Sequence, residues 1–426
     1  MKSLLDRINA KLNAQGGFLK AVSVLVGGTA FAQFISFLCL PILTRLYTPK
    51  DYSVLGVYVA IVAILAVISC LRFDIAIPIP ENESDGKSLL LLSLLSNTAF
   101  SILLYLLLII SYPYIQHYKI IDQLSYWIWL IPLGVFVSGF YSALQYWATR
   151  HKRFKDIAKT RMTQAVSGNS ASMAGGVLSV GFGGLILGQL LNFSGGLLKL
   201  TISAKRDLAI VRSSPLKPTF VKYSDFPKYS TFEALANISA IQLPLILLAS
   251  YFVGPTVGYV MIAMRILGIP MGLIGSAFSQ VYLANANQYL KKGQLYSYSK
   301  LIVIKIFKII VVPFIILAAA SPYIFEIIFG SEWSDLGRYI LYMIPWFFFQ
   351  MLVSPISMSL HVLNLQKISL LMQVFGFIVR VLPLFVLAVY YVDYMVEYYI
   401  ISGFIFYIVY FFVVLMILNK YSSKIN

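Results

Sequence analysis

Apolar runs of about 20 residues, broken by short polar segments, recur from end to end of this chain, and a run of that length spans a ~30 Å hydrocarbon core as a helix. The pattern predicts helices over about 22–43, 53–71, 88–111, 124–147, 162–180, 183–203, 231–252, 256–283, 301–322, 338–361, 367–391 and 394–418. No stretch between them is polar enough and long enough to fold as an extramembrane domain. The predicted class is an all-α polytopic membrane protein with about twelve transmembrane helices.

The longest break, 204–230, falls at mid-chain and divides the helices six and six. The expected organisation is an amphipathic N-terminal segment (1–20), an N-lobe with helices one to six (21–203), a cytoplasmic linker (204–230), a C-lobe with helices seven to twelve (231–420) and a tail (421–426). An even number of helices gives both lobes the same orientation, as in transporters built from parallel repeats. The internal echo is faint: Pro41 is matched by Pro244, and Gly56-Val57-Tyr58 loosely by Gly258-Tyr259. In the first segment Leu4, Ile8 and Leu12 sit four apart among Lys2, Asp6, Arg7 and Lys11. Such a pattern fits a helix lying on the inner leaflet; the alternative is a disordered basic tail. It does not fit a cleavable signal peptide, because the first apolar run is too long.

Composition agrees with the pattern: 59% of residues are hydrophobic and 12% charged, where soluble domains carry about 25% charged residues. The formal charge of +17 is placed by topology. With both termini cytoplasmic, the inside segments hold about 24 Lys and Arg and the outside loops about four, as the positive-inside rule requires. One inside loop carries Arg150, Lys152, Arg153, Lys155, Lys159 and Arg161. The outside set is Arg45, Lys50, Lys119 and Arg338. No nucleic acid is expected as a partner. Cys39 and Cys70 lie inside apolar runs and read as small core residues, neither a disulfide nor a metal site.

Small residues at 168, 172 and 176, and at 184 and 188, recur every four positions and predict close helix packing. Prolines 132, 244, 270, 313, 345, 355 and 383 fall within predicted helices, where each frees a carbonyl and favours a kink. Broken helices suit a protein with an internal cavity, though static bundles contain them too.

No catalytic constellation is present. His117, His151 and His361 are scattered, and no Ser/His/Asp set, phosphate loop or metal-ligand spacing occurs. The chain reads as a non-enzyme without cofactor or metal. The chemistry rests on charge within helices. Arg265 and Arg380 are deep in predicted spans, where a central Arg costs at least ~2.5–3.5 kcal/mol and so faces a cavity or a partner. Arg45 stands at the outer end of helix one, and Arg72 and Asp74 at the inner end of helix two; these either serve a ligand, anchor the helix ends or pair with each other. No Asp or Glu occupies mid-membrane depth. Arginines without deep acids favour an anion, and phosphate fits the guanidinium fork bidentately. Gln33, Tyr141, Gln145 and Gln280 are candidate polar partners for a substrate, or interhelical packing groups.

Several segments together carry a family resemblance: Leu40-Pro41-Ile42-Leu43-Thr44-Arg45-Leu46-Tyr47 followed by Asp51-Tyr52; Leu71-Arg72-Phe73-Asp74-Ile75-Ala76-Ile77-Pro78; Phe226-Pro227-Lys228-Tyr229-Ser230 with Gln242-Leu243-Pro244; Arg265-Ile266-Leu267-Gly268-Ile269-Pro270 running to Gly275-Ser276-Ala277-Phe278-Ser279-Gln280-Val281-Tyr282; and Phe329-Gly330-Ser331-Glu332-Trp333. Over nearly its whole length the chain resembles the Wzx-type oligosaccharide flippases of the MOP superfamily, relatives of the lipid II flippase MurJ. The resemblance implies two six-helix lobes around a central cavity that opens to each side in turn. It also implies transfer of an undecaprenyl-diphosphate-linked oligosaccharide, such as an O-antigen unit for lipopolysaccharide, from the cytoplasmic to the periplasmic leaflet of the bacterial inner membrane. Related flippases meet the diphosphate with cationic cavity residues, a role that falls to Arg265; Arg380 joins it by depth alone. Expected partners are that lipid, membrane lipids and other polysaccharide assembly proteins. Two alternatives stand beside this: a cation-coupled multidrug exporter of the same superfamily, and a membrane-embedded O-antigen polymerase or ligase, which the short outer loops disfavour.

Overall fold

The computed structural model describes residues 17–210, 214–252, 254–363 and 365–422. Residues 1–16 of the expected amphipathic segment, and 423–426 of the tail, lie outside the described residues. In chain order the helices are α1 (Gly17–Leu46), α2 (Pro49–Ser69), the short α3 (Phe73–Ala76), α4 (Glu83–Ile115) and α5 (Lys119–Leu124). A 3-10 turn, Ser125–Leu130, leads into α6 (Ile131–Arg150); α7 (Phe154–Val177), α8 (Gly183–Ser194), α9 (Leu197–Ile210) and α10 (Leu216–Lys222) follow. A π-helical turn, Phe226–Ser230, enters α11 (Thr231–Tyr251); α12 (Thr256–Pro270) runs through a second π turn, Met271–Gly275, into α13 (Ser276–Lys291). The chain ends with α14 (Leu295–Phe329), α15 (Leu336–Ile356), α16 (Ser359–Val362), α17 (Gln366–Tyr390) and α18 (Met395–Ser422). No strand occurs among the described residues.

Eleven helical stretches among the described residues are long and apolar enough to cross a membrane. The expected fifth span, 162–180, exists as a helix of membrane length, the 24-residue α7, but it is too polar to count among the eleven. Lys155, Lys159 and Arg161, assigned from the sequence to a charged loop, stand in its first turns. Its later polar groups do not need an apolar surround of lipid, because the neighbouring helices bury them: Gln164, Asn169 and Ser172 are all buried.

Packing divides the chain into two compact units: residues up to Leu46 with Tyr58–Leu235, and Tyr47–Val57 with the residues from Ala236 onward. In the first unit α7 lies along α1 and α8, and α4 pairs with α6. The small-residue stripe sets the α7–α8 distance. A Cβ on Gly188 would collide with Ser172 and the Gly168 carbonyl, and one on Gly168 with Asn192, so the helix backbones approach as closely as glycine allows. The core of this unit joins Phe73, Ile77, Leu89, Leu90, Leu144, Trp147 and Ile157, each almost fully buried.

In the second unit α15 is the hub, packed on α12, α13, α14 and α18. The first turns of α2 belong here. Ser53 Oγ donates to the Gly254 carbonyl at 2.8 Å and accepts from the Gly258 amide at 2.8 Å, while Tyr52 and Tyr259 each meet the Trp333 ring edge-on at 5.4 and 5.8 Å. Prolines 244, 270, 313, 345, 355 and 383 lie inside helices as the sequence suggests. Pro132 instead occupies the start of α6, where its missing N–H is an orphan donor in any case.

Candidate functional site

In the first unit α6 gathers most of the candidate residues. Tyr141 is buried, with its hydroxyl 2.9 Å from Thr160 Oγ1. One turn on, Gln145 Oε1 accepts from Arg161 Nη2 at 2.8 Å. Arg161 also donates to Gln164 Oε1 at 3.4 Å, and its guanidinium carbon lies 5.4 Å from the Tyr141 ring centroid. The sequence grouped Arg161 with topogenic loop charges. The signal that could have placed it is the spacing of Arg161 and Gln164 on one helical face, running on from the polar residues that precede it.

The same helix meets Arg72 and Asp74. Leu71 and Arg72 both take positive φ, 49° and 59°, a backbone region that non-glycine residues seldom occupy and that clusters at functional sites. The turn sends Asp74 into the interior, 5% exposed. Its Oδ2 accepts from Ser142 Oγ at 2.6 Å, while Oδ1 has no partner among the described residues. Arg72 Nε is also buried without a partner among the described residues. The two do not pair with each other, which removes that reading of the motif. Gln33 on α1 presents a buried Oε1 that likewise has no partner among the described residues, and one turn further Ser36 Oγ accepts from Asn169 of α7 at 3.1 Å. Arg45 is exposed in the last turn of α1.

In the second unit Arg265 lies half-buried on α12, one turn before Pro270 and the π turn. It forms no ion pair with a described carboxylate. Its charge reaches the hydroxyl of Tyr52, which is fully buried and has no hydrogen-bond partner among the described residues. The π turn, a feature concentrated at functional sites, is not visible in the sequence. Arg380 on α17 is 3% exposed. Its guanidinium carbon stands 4.8 Å from the Trp346 ring centroid and 5.9 Å from those of Tyr399 and Phe406. Its charge is met by aromatic faces, without an ion pair to a described carboxylate, so in this conformation it is not presented to a ligand. Gln280 lies on α13, and its side chain lies outside the described residues.

Two of the loop arginines are structural. Arg150 donates to the carbonyls of Ile77, Pro80, Glu81 and Asn82 and pairs with Glu83 at 3.3 Å. Arg153 holds Asp207 bidentately at 2.8 and 2.7 Å, and Trp147 Nε1 adds a third bond to that carboxylate at 3.0 Å. Among the described residues no group of His, Cys, Asp and Glu is arranged to hold a metal ion. The polar groups described are suited to binding and orienting a ligand.

The helical architecture is that of the MOP-superfamily transporters. It matches an inward-facing multidrug-resistance MATE transporter of that superfamily with a TM-score of 0.66 at 14% identity, over 92% of this chain and 96% of the other. It matches the lipid II flippase MurJ in an inward closed conformation with a TM-score of 0.71 at 12% identity, over 91% and 86%. An outward-facing MATE transporter aligns at 0.55 and 13% identity, over 95% and 96%. Residues 42–337 match the family described as polysaccharide biosynthesis protein, and the chain belongs to that family. No curated protein sequence matches it.

Proposed function

We propose that this protein is a flippase that carries undecaprenyl-diphosphate-linked oligosaccharide units, of the O-antigen kind, from the cytoplasmic to the periplasmic leaflet of the inner membrane by alternating access, with both termini in the cytoplasm. The observation that carries the reading is Arg265 in the second unit: a half-buried guanidinium, one turn from a π turn, without an ion pair to a described carboxylate. Such a group is matched by an oxyanion. A diphosphate accepts from its fork and brings the negative charge that the arginine lacks. Membership of the polysaccharide biosynthesis family supports the sugar-carrying cargo.

In this reading the polyprenyl tail stays in lipid while the head crosses beside protein groups. Each sugar hydroxyl left unpaired in hydrocarbon would cost several kcal/mol, so polar side chains must replace water along the route. Gln33, Tyr141, Gln145, Arg161 and Gln280 are the proposed replacements, with Arg45 and Arg72 as further cationic contacts. The cell interior is negative, so two phosphate charges moving outward gain roughly 4–5 kcal/mol at 100 mV. Outward flipping then needs no coupling carboxylate, provided the arginines stay with the protein. The test is head-group flipping of a fluorescent lipid-linked diphosphate sugar in proteoliposomes with a clamped potential. Arg265→Gln is expected to reduce flux at least tenfold, and wild-type flux to rise with an interior-negative potential on the loading side. Flux that ignores both would overturn the proposal.

A second reading, a cation-coupled exporter, draws on Asp74, a buried carboxylate with one oxygen unpaired. It requires transport driven by a proton or sodium gradient at zero potential, and the same vesicles measure that.

A further inference from the structure

In the second unit a cavity of about 500 Å³ opens between α15 and α18. Its walls are two matching helical faces. Arg338, Tyr342 and Pro345 follow one another at four and three residues on α15; Glu397, Ile401 and Phe404 do the same on α18. Both helices begin at this end, at Leu336 and Met395, so the two charges stand side by side at the mouth and the apolar residues run inward. Seven residues of helix carry the wall about 10 Å deep. Exposed Tyr390, Tyr391 and Tyr394 precede α18, and exposed Tyr342 flanks the mouth. Such an aromatic band marks the level of lipid headgroups.

Arg338 and Glu397 line one cavity without pairing. Arg338 instead donates to the Tyr342 hydroxyl at 3.1 Å and lies over that ring, and Glu397 is exposed. Asp335 lies one turn before Arg338 in the chain and acts on its charge. A site that sets a guanidinium beside a carboxylate, with a further acid close by, disfavours a strongly anionic head such as a diphosphate. It suits a head that bears both signs a few ångströms apart. We infer that this groove is a binding site for a zwitterionic aminophospholipid of the phosphatidylethanolamine type: the phosphate meets Arg338, the primary ammonium meets Glu397, and one acyl chain lies along Leu341, Pro345, Ile401 and Phe404. A primary ammonium donates hydrogen bonds to a carboxylate; the quaternary ammonium of phosphatidylcholine does not.

The test is native mass spectrometry of the purified, delipidated full-length protein, titrated with phosphatidylethanolamine, phosphatidylcholine or phosphatidylglycerol. Wild type is expected to retain phosphatidylethanolamine about threefold to fivefold better than the other two, the range one exposed charge contact provides. Arg338→Gln should lower that retention. Glu397→Gln should lower it and move the preference toward phosphatidylglycerol. Ile401→Trp, which fills the groove and leaves both charges in place, should lower retention of phosphatidylethanolamine while the protein still elutes as a folded, monodisperse species. Equal retention of all three lipids, tighter retention of phosphatidylglycerol, or a preference unmoved by Ile401→Trp would each overturn the assignment.

Discussion

Arg380 and Trp346 are stacked with 4.8 Å between the guanidinium carbon and the ring centroid, and the arrangement depends on a glycine. A Cβ on Gly403 of α18 would overlap the Trp346 ring, so only glycine lets the indole lie flat enough to cover the arginine. Tyr399 and Phe406 close the box from the same helix. Cation–π contacts gain up to ~2 kcal/mol each when desolvated, which is how this unit keeps a charge at 3% exposure without a carboxylate.

Arg380→Ala removes these contacts and opens a cavity among large rings. It is expected to destabilise the protein by about 3 kcal/mol, with Arg380→Lys losing about 1 kcal/mol because the planar stacking is lost. Thermal unfolding of the detergent-solubilised protein measures both. An unchanged midpoint for Arg380→Ala would refute the structural role.

The α7–α8 contact predicts a sharp contrast between glycines. Gly188→Ala should cost about 1–3 kcal/mol through overpacking, since its new Cβ meets Ser172 and a main-chain oxygen. Gly27→Ala on α1, where a Cβ meets nothing within 4 Å, should be neutral or slightly stabilising. Equal melting temperatures for the two variants would show that the helices do not approach as described.

Arg150→Ala takes charged donors away from four carbonyls between Ile77 and Asn82. Hydrogen bonds to a charged group contribute about 1.5–3 kcal/mol each, so this segment should loosen ahead of the rest. Hydrogen exchange at residues 77–83 is expected to rise at least tenfold in the variant, with exchange in α15 unchanged.

Asp74→Asn keeps an oxygen for Ser142 while removing the charge. Stability should change by no more than about 0.5 kcal/mol, and under the flippase reading potential-driven flux should persist. Loss of all flux in the variant, with wild-type flux that follows a proton or sodium gradient, would favour the exporter reading instead.

Sequence reading recovered most of the helices because membrane-length apolar runs have few alternative folds. It placed the fifth helix at 162–180, where α7 runs, but read Lys155, Lys159 and Arg161 as loop, since charge at a helix start and charge in a loop leave the same mark on hydropathy. Arg150, Arg153 and Arg161 were equally opaque: charge near a membrane surface looks the same whether it sets topology, clamps carbonyls or lines a polar cluster. The reverse held for Arg380, whose depth was legible and whose aromatic enclosure was not, because Trp346, Tyr399 and Phe406 come from distant parts of the chain. Asp74 was placed at a helix end, yet the left-handed turn at Leu71 and Arg72 that drives it inward leaves no mark in composition.

The π turn at Met271–Gly275 shifts the angular phase of everything beyond it. Each wider turn absorbs one surplus residue, and one residue of α-helix corresponds to ~100° about the axis. A helical wheel drawn straight through from Arg265 therefore misplaces the buried Tyr282 by about that angle. Rewinding this stretch as unbroken α-helix at unchanged length would swivel α13 by about that angle, whereas deleting a single residue would relieve the wide turn and leave α13 facing as it does, so a rotation of one helix segment is available to this chain without breaking a covalent bond.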